Sequence, residues 1–436
     1  MKSQFELKHK KAVIFIGLRH HAGKMVVVGN TLEQEGMQVI YLTSASLPSL
    51  GGGNRECFEL FLMKNKIPYR HLYEYRTPAR TRQIARETEQ LQKSAAQLLK
   101  LDDNRPLGLF GPGALNAALR QAQESRELFA EMLEVEKPDI VLGLHEANFW
   151  VKLMAQAANT KGIPVLTFQE GFYTISEARG EKYAIMAQYS TAALWGEEAR
   201  EAILHYDPSA APRLIPVGNP EYDFFFNLTP NEIRQQAQQV RGSMGIASDT
   251  KICILFMPNP FERYRQAIPL EELAVYIAAL KDTLFLVKWH PRESRKTIES
   301  FYPLEQKGKV KHIISGDIKN LLPACDVCMV LDSSAGLDAV IYGKPLLEIN
   351  TGKTQFGRSY ADDGVALRIA DANQFSLIAE VLAGKRTTYR AEDREHYLSR
   401  MFYKTDGKSS QRIIELIKNL LRSTGEAQPE DNPIVM

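Results

Sequence analysis

Short apolar runs alternate along the chain with longer stretches of helical period. In the first half the runs fall at 12–17, 39–42, 107–110, 137–144, 163–168 and 183–187. In the second half they fall at 251–257, 283–289, 310–314, 327–331 and 345–349. Each is continuous rather than alternating, as expected of parallel strands buried on both faces. Helical patterns at 55–63, 81–100, 114–134, 195–206, 229–244, 269–280, 335–342, 373–382 and 411–421 separate or follow them. Strands alternating with long helices predict an α/β chain of doubly wound domains. The loops at 17–24, 145–148 and 169–173, each just past a strand, are expected to gather on one rim.

With 436 residues the chain exceeds one ordinary core, so two domains are expected. Turn formers at 215–223 mark the junction. The boundaries read as an N-terminal Rossmann-like domain over 1–215, an interdomain segment over 216–250 that includes a loose polar helix, and a C-terminal Rossmann-like domain over 251–410. A closing amphipathic helix at 411–422 and a flexible tail at 423–436 complete the chain.

Composition narrows the picture only where it excludes. At 44% hydrophobic and 24% charged, with a formal charge of +2, the chain is an ordinary globular protein, and no nucleic-acid partner is expected. No apolar run is long enough to span a bilayer, and no signal peptide is evident at the N-terminus. A cytoplasmic location is expected. The basic residues Lys64, Lys66, Arg70, Arg76, Arg80, Arg82 and Arg86 face one acid, Glu74. They read as a solvated face, or alternatively as a patch for an anionic acceptor or for peripheral contact with the inner face of an anionic membrane. Cys325 and Cys328 have CxxC spacing, but their flanks read as core and no second cysteine pair completes a zinc site.

The candidate chemistry concentrates between Phe285 and Pro345. One run ends in Lys288-Trp-His290-Pro-Arg292, another in Leu331-Asp-Ser333-Ser334. A cation, an imidazole and two hydroxyls at strand ends suit a phosphate or nucleotide. Lys288, His290 and Arg292 share parity on an extended chain, which favours one shared anion. Ser333 and Ser334 precede a helix and suit capping or phosphate binding, two compatible roles. In the first half, Glu146 and Glu170 follow apolar strands. Either carboxylate could take a proton from an acceptor hydroxyl, or serve as a cap or ion-pair partner. Glu170 is favoured because Gly171 leaves its loop open, and His145 and Asp223 are weaker candidates. His20 and His21 are adjacent and diverge, so no fixed metal is expected, although diffusible Mg²⁺ bridging phosphates fits. The Gly-x-Gly-x-x-Gly of dinucleotide-binding dehydrogenases is missing after the first strand.

Taken together, Val217-Gly218-Asn219-Pro-Glu-Tyr-Asp223, His290-Pro291, Ser333-Ser334, Gly343-Lys344-Pro345 and Asp406-Gly-Lys-Ser-Ser410 carry a resemblance. The chain resembles two-domain GT-B-type glycosyltransferases of the capsule and teichoic-acid kind, including the polysialyltransferase, Kdo-transferase and CDP-glycerol glycerophosphotransferase families. The resemblance implies two Rossmann-like domains facing across a cleft. It also implies transfer of a sugar or glycerol phosphate from a nucleotide-activated donor, CMP- or CDP-linked rather than UDP-linked, to a saccharide or lipid-linked acceptor of surface-polysaccharide synthesis. The resemblance implies His290, Ser333 and Ser334 for the donor phosphates and Glu170 for the base; Lys288, Arg292, Gly218 and Asn219 are counted with the donor site, and Glu146 is the second candidate carboxylate. No tightly bound cofactor is implied. UDP-N-acetylglucosamine 2-epimerases share the fold and several of these features, so nucleotide-sugar epimerisation is the alternative.

Overall fold

The computed structural model describes residues 6–17, 19–44, 59–100, 112–172, 186–307, 309–316, 318–331, 333–352 and 359–426. The run at 107–110 lies outside them, as do most of 183–187 and of the tail. Two compact units divide the chain after Glu221, and the segment from Lys408 onward belongs to the first. The expected interdomain segment is therefore shared between the units, and the closing helix is part of the first unit's core.

The first unit holds seven strands: β1 (Lys11–Ile16), β2 (Gln38–Thr43), β3 (Tyr69–His71), β4 (Ile140–Leu144), β5 (Val165–Phe168), β6 (Thr191–Leu194) and β7 (Leu214–Pro216). Their order is β3-β2-β1-β4-β5-β6-β7, and every pairing is parallel. The order reverses between β1 and β4, and ligands of such sheets collect outside the carboxyl ends there. β1, β4 and β5 are mostly apolar because helices cover both faces: Ile14, Ile16, Leu142 and Leu166 pack on one side, Val13, Phe15, Val141 and Val165 on the other. The sixth strand was expected at 183–187, but the described residues there, Met186 and Ala187, form a turn and β6 follows at Thr191–Leu194. The closing helix, Ser409–Glu426, buries Ile413, Ile414, Ile417 and Leu421 in the cluster containing Met25 and Leu32.

The second unit holds β8 (Lys251–Phe256), β9 (Thr283–Lys288), β10 (Val310–Ile313), β11 (Val327–Val330), β12 (Leu346–Ile349) and β13 (Leu367–Ile369). The order β10-β9-β8-β11-β12-β13 is again all parallel, with its reversal between β8 and β11. Both sheets thus have the Rossmann-like winding expected from the sequence.

The helix Pro230–Ser243 is firmly attached to the second unit, not loose. A Thr229–Glu232 capping box starts it, and Arg241 donates to Asp326 Oδ2 (3.0 Å) and to the carbonyls of Thr250 (2.7 Å) and Ala324 (3.1 Å). Cys253, Cys325 and Cys328 are buried free thiols, and burial pushes Cys253 and Cys328 far above the usual thiol range, as suits packing rather than redox chemistry.

Three arginines of the basic stretch pair with the neighbouring helix Pro112–Glu136. Arg70 pairs with Glu136 (2.8 Å), Arg76 with Glu124, and Arg80 with Glu127 (2.9 Å), Glu131 (2.7 Å) and Glu134 (3.5 Å). Among the described residues, no helix is long and apolar enough to cross a membrane.

Candidate active site

In the second unit, two strands flanking β8 bring the donor-side candidates to one rim. Trp289 is fully buried and packs its indole edge-on to Phe261, with ring centroids 5.8 Å apart. Its indole N–H donates to His312 Nδ1 (2.9 Å). With Trp289 fixed inward, His290 emerges half-buried at the end of β9. The chain then turns: the Arg292 N–H donates to His290 Nδ1 (3.1 Å), and the Glu293 N–H to the His290 carbonyl (2.9 Å). The extended parity expected for Lys288, His290 and Arg292 therefore stops at His290. Arg292 is exposed on the turn, while Lys288 is 3% exposed with its ammonium on the Trp289 carbonyl (3.2 Å).

Burial, followed by the charges of Arg292 and Lys288, lowers the His290 pKa below the usual imidazole range against the opposing pull of Glu293. The neutral ring accepts at Nδ1, so its proton is assigned to Nε2 and that nitrogen is a donor. Glu293 ties this turn to the loop after β8. It accepts from the N–H of Phe261 (2.8 Å) and from Asn259 Nδ2 (3.2 Å). Burial pushes its carboxyl up, but those donors and the Ser294 N–H outweigh it and leave the pKa lowered.

Ser333 and Ser334 follow β11 and lead into the helix Ala335–Ile341. Ser333 Oγ accepts from the Ala335 N–H (3.3 Å), whereas the exposed Ser334 makes no cap with its side chain. Sequence reasoning missed the group that fixes this loop. Tyr360, 3% exposed, donates through Oη to the Ser333 carbonyl (2.8 Å) and accepts from the Leu337 N–H (3.2 Å). Gly336 makes this approach feasible, because a Cβ there would lie 2.5 Å from two ring carbons of Tyr360. The only sequence signal for it was a glycine inside an apolar helix.

In the first unit the three loops expected on one rim do meet. His21, however, rides the first turns of the helix Arg19–Gln34, not a loop. His145 follows β4 and Glu170 follows β5. The Glu170 carboxylate lies between two imidazoles: Oε1 is 3.4 Å from His21 Nε2, and Oε2 is in direct contact with His145 Nε2. Lys24 donates to the Glu170 carbonyl. Gln169 pins the loop, accepting from the Trp195 N–H (2.8 Å) and donating to the Gly171 carbonyl (2.7 Å).

Beside this cluster opens a shallow pocket lined by Lys24, Phe168, Gln169, Trp195, Asn219 and Glu221. Asn219 is 4% exposed, and among the described residues its buried Nδ2 has no hydrogen-bond partner. Gly218, at φ +92°, holds the turn before it: a Cβ there would lie 2.3 Å from Ser409 Oγ. Gly218 and Asn219, expected beside the donor phosphates, are thus part of the first unit.

Glu146 lies elsewhere. It is fully buried and accepts from the Tyr189 N–H (2.9 Å) and Ser190 Oγ (2.7 Å). Burial raises its pKa, and those hydrogen bonds act against the rise. Its carboxylate clamps the approach to β6 and faces no solvent, so the geometry withdraws it from the base role. Asp223 opens the short helix Asp223–Phe226 of the second unit.

No curated protein matches the sequence. Among solved structures the chain is similar to UDP-GlcNAc 2-epimerase from Methanocaldococcus jannaschii, at 15% identity over 94% of this chain and 99% of that one, with a TM-score of 0.60. It is similar to UDP-GlcNAc 2-epimerase from Neisseria meningitidis bound to UDP-GlcNAc, at 16% identity, 94% and 100% coverage and a TM-score of 0.59. A glycosyltransferase from Rickettsia africae shows 14% identity, 95% and 99% coverage and a TM-score of 0.55. At these identities the likenesses establish the fold: two Rossmann-like domains in one α/β chain. Residues 197–419, just over half of the chain, match the family model described as CDP-glycerol:poly(glycerophosphate) glycerophosphotransferase, and the chain belongs to that family, a GT-B-type transferase of the teichoic-acid kind.

Proposed function

We propose that this enzyme transfers a glycerol phosphate, or a sugar, from a CDP- or CMP-linked donor to a hydroxyl of a surface-polysaccharide or lipid-linked acceptor. The observation that carries the reading is the rim of the second unit. There a neutral imidazole with a donor Nε2–H and the Ser333-Ser334 turn end two strands flanking one switch-point strand. Buried Lys288 and exposed Arg292 add positive potential that suits a pyrophosphate.

Glycerol-phosphate transfer assigns the parts as follows. Glu170 takes the acceptor hydroxyl proton, the acceptor oxygen bonds to the donor's terminal phosphorus, and the bond from that phosphorus to the CMP oxygen breaks. The electron pair leaves on CMP, where the His290 Nε2–H and the serine hydroxyls stabilise the charge. Diffusible Mg²⁺ bridging the donor phosphates is part of the proposal, and no tightly held organic cofactor is. The pocket containing Asn219 is assigned to the acceptor, because its buried amide and aromatic walls suit a polyol or sugar.

Calorimetry with CDP and a turnover assay on two variants test the reading. His290→Ala is expected to lose nucleotide binding, and Glu170→Gln to bind CDP normally without turning over. Full turnover by Glu170→Gln would remove it as base. Conversion of UDP-GlcNAc with no acceptor present would replace transfer with the epimerase alternative.

A further inference from the structure

We infer that His21, His145 and Glu170 form a binding site for one divalent transition cation, with Zn²⁺ the best match to the ligands. One ligand atom from each lies within 4.8 Å of the other two. Zinc bonds to nitrogen and carboxylate oxygen of about 2.0–2.1 Å put neighbouring ligand atoms about 3.3 Å apart in a tetrahedron. The His21 Nε2 to Glu170 Oε1 separation is 3.4 Å, while His145 Nε2 and Glu170 Oε2 are in direct contact and would have to part for His145 to ligate. His21 is fully buried, and His145 and Glu170 are half-buried, so the set is built into the fold rather than assembled on the surface. Two imidazoles and one carboxylate favour a borderline transition cation over Mg²⁺, which prefers oxygen ligands and water.

Position adds a second argument. The three residues follow β1, β4 and β5, two of which flank the reversal in strand order where the sheet gathers ligands. Gln169 and Lys24, which hold the Glu170 loop, also line the pocket. Local spacing could not show this set, because its members lie more than a hundred residues apart between His21 and His145. Three protein ligands leave a coordination position for an oxygen, as in catalytic zinc centres. On the transfer reading, a cation held there would make an acceptor hydroxyl bound to it more acidic.

The cation itself is tested without turnover. The tag-free full-length protein is assayed for bound metal by mass spectrometry, then stripped and titrated with Co²⁺ while visible absorption is followed. One cation per chain and an intense tetrahedral Co²⁺ band, displaced by Zn²⁺, are expected. In His145→Gln, with its fold verified by circular dichroism, affinity should fall by at least about 10-fold. Absence of metal and of the band in the unaltered protein would mean that a proton occupies the cluster instead and would overturn the inference. An unchanged affinity in a folded His145→Gln would place the cation elsewhere and overturn it as well. Failure of transfer with metal bound would count against the transfer reading alone.

Discussion

Gly336→Ala tests whether a buried ring holds the serine turn of the donor rim. The added Cβ would meet Tyr360 Cε2 and Cζ at 2.5 Å. Carbon contacts settle at about 3.5–4.0 Å, so the ring must retreat by about 1 Å. Tyr360 is 3% exposed and has little room for this. Overpacking of this kind costs about 1–3 kcal/mol. Weakening the Oη bond to the Ser333 carbonyl adds about 1 kcal/mol. Replacing glycine within a helix returns up to about 1 kcal/mol. The net loss is about 1–3 kcal/mol, a fall in Tm of roughly 2–12 °C for a unit of this size. Calorimetric melting measures the loss, and CDP titration measures the displaced Ser333-Ser334 turn as weaker affinity in the folded variant. Introducing the same change into Tyr360→Leu isolates the cause. Without the ring, Gly336→Ala should be neutral or slightly stabilising. Equal destabilisation in both backgrounds, or full stability in the first, would refute the steric argument.

Three further outcomes follow from named contacts. Gly218→Ala combines a left-handed backbone with a Cβ 2.3 Å from Ser409 Oγ, and should lower stability by about 1–3 kcal/mol in a denaturant titration. Arg80→Ala leaves buried Glu127 without its 2.9 Å partner and should cost about 1–3 kcal/mol by the same measurement, less at high salt. The His290 pKa is lowered in the free protein, and an anionic donor must raise it; CDP affinity should therefore increase as pH falls through the usual imidazole range near 6.5 and level off above it. His290→Gln should retain only the slope due to the nucleotide's own phosphate ionisation.

The second sheet was legible because its strands are buried on both faces and read as unbroken apolar runs. β8, β9, β11 and β12 were located to within a residue or so. β6 was misplaced because Thr191-Ala-Ala-Leu194 carries small side chains with little hydrophobic signal. The edge strands β3 and β13 are three residues each, too short for any period to register. The basic stretch shows another limit of local reading. Arg70, Arg76 and Arg80 pair with acids of the helix Pro112–Glu136, and pairing of that kind is a property of packing that no local charge count contains. At the candidate site the strand-end residues could be found by where apolar runs stop. Tyr360 and the His21–His145–Glu170 set could not, since each depends on contacts across long stretches of chain.

Why the donor rim should hold an anion follows from its charges. Glu293 is the nearest acid to His290 in sequence, and its carboxylate is engaged by the Phe261 N–H, the Ser294 N–H and Asn259. It serves to join the loops after β8 and β9, and it opposes the lowering of the His290 pKa without reversing it. Arg292 is exposed, and its backbone N–H holds His290 Nδ1. That hydrogen bond leaves Nε2 as the donor of a neutral ring, in a region where burial and two cations disfavour a further positive charge. A phosphate bound as proposed would reverse each of these conditions together. It would offset Lys288 and Arg292, give Nε2–H an acceptor, and make imidazolium the favoured form as negative charge accumulates on the leaving group. On the proposed transfer reading, the rim would strengthen its hold as the donor bond breaks, which is the differential interaction that transfer requires.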